Sequence, residues 1–131
     1  MRLKTCGFYV VSRSTLFETF LHRKFVKDKK LSEVFEAIRE RPIIYFGKMD
    51  SERATCFLHG FYCGFGAASE INLNVVEARN KILKTRGWKV PSVYLEKEME
   101  RKGMSDEEII NELLEIEIET WRLVEQQSDA E

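Results

Sequence analysis

The sequence has few residues that interrupt regular secondary structure, since only 2 of its 131 residues are proline and 7 are glycine. It also lacks a run of eighteen apolar residues, so it predicts no membrane span. Only three cysteines and two histidines are present. An odd number of cysteines without a recognisable secretory leader is typical of reduced thiols, so we expect a cytoplasmic protein.

Several motifs that carry catalysis are missing as well. The sequence has no glycine-rich phosphate loop, no His-Glu-x-x-His and no Gly-x-Ser-x-Gly. It therefore predicts no catalytic residue and no cofactor, and it favours a binding protein over an enzyme.

Apolar residues that recur at spacings of three and four along most of the chain indicate helices. With 44% hydrophobic and 33% charged residues, the composition is that of a globular domain. We expect a mainly α fold, a single compact domain of five or six helices over residues 1–126 and a frayed tail over 127–131. The runs Phe8–Val11 and Ile43–Phe46 would add one short β-hairpin.

Polar residues and glycines mark several predicted helix ends. Ser32 and either Asp50 or Ser51 are candidate N-caps. Gly87 lies where a left-handed residue commonly ends a helix. Ser105, with glutamate three residues later, has the pattern of a capping box.

The stretch from Arg41 to Phe65 is the most unusual part of the sequence. Because the helix that follows Asp50 is apolar around most of its circumference, we expect it to be the buried central helix. Cys56, His59 and Cys63 share one face of it, and thiolate and imidazole are ligands for zinc or copper. The alternative is that the two cysteines pack in the core as small apolar residues.

Two motifs in this stretch carry a resemblance. Arg41-Pro42-x-x-Tyr45-x-Gly47, then Phe57-Leu58-x-Gly60-Phe61-Tyr62, resembles a pattern in small uncharacterised bacterial proteins of similar length. Those proteins usually have Gly/Ser-Met where this chain has Ile43-Ile44. A tryptophan-containing helix and an acidic C-terminal helix follow the motifs in both, so the resemblance covers about residues 39–125. Some members are immunity-type proteins encoded beside bacterial toxins.

Charge is distributed unevenly along the chain. Residues 1–30 contain eight Lys/Arg and two Asp/Glu, whereas residues 95–131 contain four Lys/Arg and thirteen Asp/Glu. On the predicted last helix, one face has four glutamates: Glu108, Glu112, Glu115 and Glu119. Such a face is either solvated or attracts a basic protein surface. Together with the resemblance, it predicts an immunity- or antitoxin-like protein that occludes a protein partner.

Two other functions remain open from the sequence. A small-ligand site would use the 41–63 stretch and its surroundings, with six candidate residues: Arg41, Tyr45, Arg53, His59, Tyr62 and Trp88. The basic patch at residues 23–30 would serve a nucleic-acid binder, although lysine-rich helix ends are common because cations suit the negative end of a helix. The pattern also leaves open a homodimer through Trp88 or Phe8–Val11.

Overall fold

The computed structural model describes residues 30–68, 73–90 and 94–130. Six α-helices occupy these ranges, and no strand occurs among the described residues. In chain order they are α1 (Leu31–Glu40), α2 (Pro42–Phe46), α3 (Ser51–Ala68), α4 (Leu73–Thr85), α5 (Leu95–Arg101) and α6 (Asp106–Asp129). The mainly helical class is confirmed for this part of the chain.

The long helix α6 is the element against which the others pack. α1 and α4 make the most extensive contacts with it, and α3 and α5 also touch it. Its buried side chains recur at the spacing of an amphipathic helix and include Ile109, Leu113, Glu117 and Trp121. Burial of each large apolar side chain contributes about 1.5–3 kcal/mol, so this one helix supplies much of the core.

The start of α6 matches the predicted capping box. The Glu108 backbone N–H donates to Ser105 Oγ at 3.3 Å, and the Ser105 N–H donates to Glu108 Oε2 at 2.7 Å. These two bonds satisfy donors that have no partner within the helix. They fix where α6 begins, and the helix then continues to Asp129.

The expectation that α3 is the buried central helix is wrong. Cys56, His59, Gly60 and Cys63 are all exposed along one side of α3. The opposite side packs into the core through Ala54 and Leu58. The large apolar residues of α3 all pack in or against the core, whereas its exposed face has small and weakly polar residues that no described element covers.

The predicted β-hairpin is also wrong, because Ile43–Phe46 belongs to the one-turn helix α2. Pro42 is the first residue of this helix, where its fixed φ favours helical geometry. Gly47 ends it at φ 73°, and the Gly47 N–H donates to the Ile43 carbonyl at 2.8 Å. A short apolar run does not distinguish a strand from a helix, whereas the flanking proline and glycine do. The other half of the hairpin, Phe8–Val11, lies outside the described residues.

Of the other predicted helix ends, those at Asp50 and Gly87 are confirmed and the one at Ser32 is wrong. Asp50 is the N-cap of α3, since its Oδ1 accepts the Glu52 N–H at 3.0 Å and the Arg53 N–H at 3.2 Å. Gly87 has the predicted left-handed conformation, with φ 82°. The prediction for Ser32 is wrong, because α1 begins at Leu31 and Ser32 is buried. Its hydroxyl instead donates to Glu125 Oε2 at 2.6 Å and ties α1 to α6.

The membrane prediction can be checked for the same part of the chain. Within residues 30–68, 73–90 and 94–130, no helix has the length and apolar character that a membrane crossing requires.

Candidate functional site

A pocket of about 580 Å³ opens between α3, α4, α5 and α6. This size falls within the range of small-molecule sites, which is roughly 300–1,000 Å³. Among the described residues, the lining comprises Thr55, Leu58, His59, Tyr62, Cys63 and Phe65 of α3, Val75, Val76, Arg79 and Asn80 of α4, Leu95 and Glu96 of α5, and Leu113 and Glu117 of α6. We refer to it as the Glu117 pocket.

Helical spacing brings the lining residues of each helix onto one face. Leu58 and Tyr62 are four residues apart on α3, as are Val75 and Arg79 on α4 and Leu113 and Glu117 on α6. In each pair an apolar residue is followed one turn later by a polar one. The polar members of the three pairs are hydrogen-bonded to one another, so the pocket has a polar side next to an apolar side.

A buried carboxylate lies on the polar side of the pocket. Glu117 is 0% exposed. The Tyr62 hydroxyl donates a hydrogen bond to its Oε2, and Arg79 Nε donates to its Oε1 at 3.3 Å. Tyr62, Glu117 and Arg79 thus connect three different helices through one charged group, and we call them the Glu117 triad.

Burial perturbs both acidic members of the triad. It raises the pKa of Glu117, and the positive charge of Arg79 and the hydrogen bond from Tyr62 offset this effect only in part. It also raises the pKa of the Tyr62 hydroxyl, and the adjacent charge of Glu117 raises it further. Tyr62 consequently keeps its proton and remains a hydrogen-bond donor to the carboxylate.

Trp121 supports the triad from one turn further along α6. Its ring stacks on Tyr62 with centroids 6.3 Å apart and an interplanar angle of 20°. Its indole N–H approaches Glu117 and lowers the pKa of that carboxyl. The N–H is buried and, among the described residues, makes no hydrogen bond with full geometry. Trp121 therefore contributes to the triad mainly by packing against the ring of Tyr62.

Arg79 is the group of the triad that remains available to a ligand. Its side chain is 27% exposed, whereas that of Glu117 is only 1% exposed. Nε donates to Glu117 and the guanidinium also interacts with the Tyr62 hydroxyl, but among the described residues neither Nη nitrogen pairs with a carboxylate. The pocket therefore combines an apolar wall with a partly exposed guanidinium.

The sequence prediction missed Glu117 and Arg79. One signal was present, because Glu117 lies four residues from both Leu113 and Trp121 and between Ile116 and Ile118. An acidic residue in phase with the apolar stripe of a helix is a candidate for a buried carboxylate. No comparable signal identifies Arg79.

The six predicted ligand residues do not form one site. His59 and Tyr62 line the Glu117 pocket. Tyr45 instead lies edge-on to Phe57, with ring centroids 6.5 Å apart. Arg41, between α1 and α2, and Arg53, on the first turn of α3, are exposed and do not line the pocket.

Trp88, the remaining predicted ligand residue, packs against α6. Its indole N–H donates to Glu112 Oε1 at 3.0 Å, and Lys102 Nζ lies 4.0 Å from the ring centroid. Trp88 is thus partly covered by its own chain, while its predicted role in a homodimer stays a prediction.

Three of the four glutamates on the predicted acidic face share one arginine. Arg86 Nη1 donates to Glu112 Oε2 at 2.9 Å, and Arg86 Nε and Nη2 donate to the two oxygens of Glu119 at 3.3 and 3.1 Å. Arg86 Nη2 also lies 3.8 Å from Glu115 Oε2. We call these four residues the Arg86 cluster.

Charge within the Arg86 cluster is balanced mainly inside the fold. Burial alone would lower the pKa of Arg86, but hydrogen bonds and charge from Glu119 and Glu112 raise it above its ordinary value. Glu115 also pairs with Arg39 of α1. The remaining member of the predicted face, Glu108, is exposed and engaged in the capping box. The glutamates are therefore not a uniform free acidic surface.

The metal alternative, with Cys56, His59 and Cys63, stays a prediction. Cys56 and Cys63 are free thiols. Within the described ranges, no three His, Cys, Asp or Glu side chains converge on a point that holds a metal ion. Cys56 and Cys63 are far apart for two ligands of one ion, because residues seven apart on a helix are separated by roughly 10 Å along the axis.

The basic patch at 23–30 lies outside the described residues except for Lys30, whose Nζ is 3.6 Å from Asp129 Oδ2.

Comparison with known proteins adds no relative. No family model, no curated protein and no solved structure matches the chain. The resemblance to small bacterial immunity-type proteins consequently stays a prediction from the sequence.

Proposed function

We propose that the protein is a non-enzymatic binding protein that holds a small, mainly apolar molecule in the Glu117 pocket. The observation that carries this proposal is a buried carboxylate, bonded to Tyr62 and Arg79, beside an open cavity of about 580 Å³. It retains the ligand-binding alternative from the sequence and the helix α3, but adds residues of α4, α5 and α6. Of the six residues predicted for that alternative, His59 and Tyr62 remain.

The energetics of the triad support a role beyond stability. A buried ion pair often contributes no more stability than apolar side chains of the same volume, because both charges lose their hydration. A leucine at position 117 would extend the apolar stripe of α6 without this cost. A desolvated carboxylate in contact with a cavity is therefore a reasonable indicator of a functional site.

The lining also suits a ligand with an apolar body. Leu58, Val75, Leu95 and Leu113 are all buried and form the interior of the pocket. His59, Cys63 and Val76 are exposed and lie at its rim. An apolar interior with a few converging polar groups is the usual composition of a small-molecule site.

The protein-partner hypothesis has less support from the described contacts. Its proposed surface required Glu112, Glu115 and Glu119 to face a basic partner. These carboxylates already form ion pairs with Arg86 and Arg39. We therefore favour the small-ligand function, and the immunity-like function stays a prediction.

A fragment screen by thermal shift tests the proposal. Val76 is 50% exposed at the rim, so Val76→Trp should fill the pocket mouth without disturbing the core. Ile44 is 69% exposed on α2 and does not line the pocket, so Ile44→Trp is the matched control. We expect fragments that raise the melting temperature of the wild type and of Ile44→Trp but not of Val76→Trp. If a library of acidic, basic and neutral fragments contains none with this pattern, the proposal is wrong.

A further inference from the structure

The guanidinium of Arg79 narrows the chemical class of the ligand. Because Nε is bonded to Glu117, the carboxylate of Glu117 restricts how the guanidinium is placed. In the described part of the chain neither Nη nitrogen pairs with an acidic side chain, and Arg79 lines the pocket. The planar end of a guanidinium presents paired N–H donors that match the two oxygens of a carboxylate.

We propose that the Glu117 pocket binds an amphipathic monocarboxylate, whose carboxylate pairs with Arg79 and whose apolar chain lies against Leu58, Leu95 and Leu113. This inference rests on the proposed function, since it assigns a ligand class to the same pocket. An uncharged or cationic ligand would cover the partly exposed guanidinium without supplying an anionic partner.

Glu117 is better suited to position Arg79 than to contact the ligand itself. Its side chain is 1% exposed, and both of its oxygens already accept hydrogen bonds. Its negative charge nevertheless competes with a ligand carboxylate for the charge of Arg79. Replacement of Glu117 by glutamine should therefore strengthen the binding of a carboxylate, which is the opposite of what a cation-binding site predicts.

Glu96 of α5 also lines the pocket, and its charge opposes an anionic ligand. The Arg79 pair has to outweigh this repulsion, which solvent screens because Glu96 is only half-buried. Glu96→Gln should consequently raise carboxylate affinity by a small factor, about two- to fivefold.

Three probes that share a ten-carbon chain test the inference by isothermal titration calorimetry: decanoate, decanol and decylamine. We expect the wild type to bind decanoate at least about tenfold more tightly than decanol or decylamine, since a charge-assisted hydrogen bond is worth at least this factor. Arg79→Gln should remove the preference while leaving decanol affinity within about threefold. Arg53→Gln is the matched control, because Arg53 is exposed and does not line the pocket.

A second variant guards against misfolding of Arg79→Gln, which leaves Glu117 buried without its cation. Arg79→Lys keeps the charge but loses the planar pair of donors, so decanoate affinity should fall about tenfold with the helical circular dichroism spectrum unchanged. Glu117→Gln should bind decanoate more tightly than the wild type.

The outcomes distinguish failure of the carboxylate inference from failure of the proposed small-ligand function. If decanol or decylamine binds as tightly as decanoate and Arg79→Lys changes nothing, the carboxylate inference is overturned while the small-ligand function stands. If none of the three probes binds, the inference is overturned, and the fragment screen with Val76→Trp then decides the proposed function independently.

Discussion

Removal of Arg86 should reveal how strongly the glutamates of α6 are held within the fold. In Arg86→Met the side chain keeps its apolar stem but loses hydrogen bonds to Glu112 and Glu119. The Arg86 side chain is 23% exposed and that of Glu112 is 21% exposed, so this pair is only moderately screened. Glu119 is 38% exposed and contributes less.

We expect Arg86→Met to lower the free energy of unfolding by about 2 kcal/mol. A hydrogen bond to a charged group contributes about 1.5–3 kcal/mol, and screening at the exposed glutamate reduces the sum of the contacts. The three glutamates, now without their arginine, would also repel one another along the helix. Equilibrium urea unfolding, monitored by circular dichroism at 222 nm, measures the change.

Arg122→Met is the control for loss of a surface pair. Arg122 bonds to Glu36 of α1, but its side chain is 52% exposed, so the expected loss is below about 1 kcal/mol. If Arg86→Met is no more destabilising than Arg122→Met, the glutamates do not depend on Arg86. The acidic face would then be available to a basic partner after all.

Three further predictions address the helices and the buried carboxylate. Gly60→Ala and Gly64→Ala should each stabilise the fold by about 0.5–1 kcal/mol in thermal unfolding, because an added methyl meets no atom within 4 Å in the described structure; a lower melting temperature would contradict this. Ser105→Ala should cost about 1 kcal/mol in urea unfolding through loss of the cap, and an unchanged midpoint would show that the capping box contributes nothing. Burial raises the pKa of Glu117 in the folded state above its unfolded value of about 4.3, so the folded protein holds this proton more tightly. Wild-type stability therefore declines as the pH rises from the unfolded pKa to the folded pKa of Glu117. The stability of Glu117→Gln relative to wild type should therefore increase from pH 4 to pH 8, and a difference that does not change with pH would refute the assignment.

Local sequence signals predicted the parts of the fold that depend on neighbouring residues. The capping box at Ser105, the Asp50 N-cap and the left-handed Gly87 are confirmed because their hydrogen bonds involve residues only a few positions apart. Such features follow from backbone geometry without knowledge of the rest of the fold. The helical class follows from the same evidence.

Long-range pairing explains what the sequence did not predict. Arg79 and Glu117 are 38 residues apart, and Tyr62 and Glu117 are 55 residues apart. Whether a glutamate on α6 faces solvent, an arginine or a buried tyrosine depends on which helix packs beside it. A single sequence shows the stripe of glutamates but not their partners.

The sequence pattern also did not predict which helix is buried most completely. α3 is richer in aromatic residues, whereas α6 is buried more completely despite its many glutamates. Arg86 and Arg39 form ion pairs with glutamates of α6 and offset their charge. The apolar content of a helix therefore did not identify α6 as the helix at the centre of the fold.

Titration of decanoate and decanol into isotopically labelled protein, followed by two-dimensional amide NMR, tests the central claim most directly. If the Glu117 pocket is the binding site, saturable shifts should concentrate at Leu58, Val75, Leu95 and Leu113 and at the buried indole N–H of Trp121. The same shifts should disappear in Val76→Trp. Saturable shifts confined to residues outside the pocket, or no shifts with either probe and with any fragment, would contradict the account.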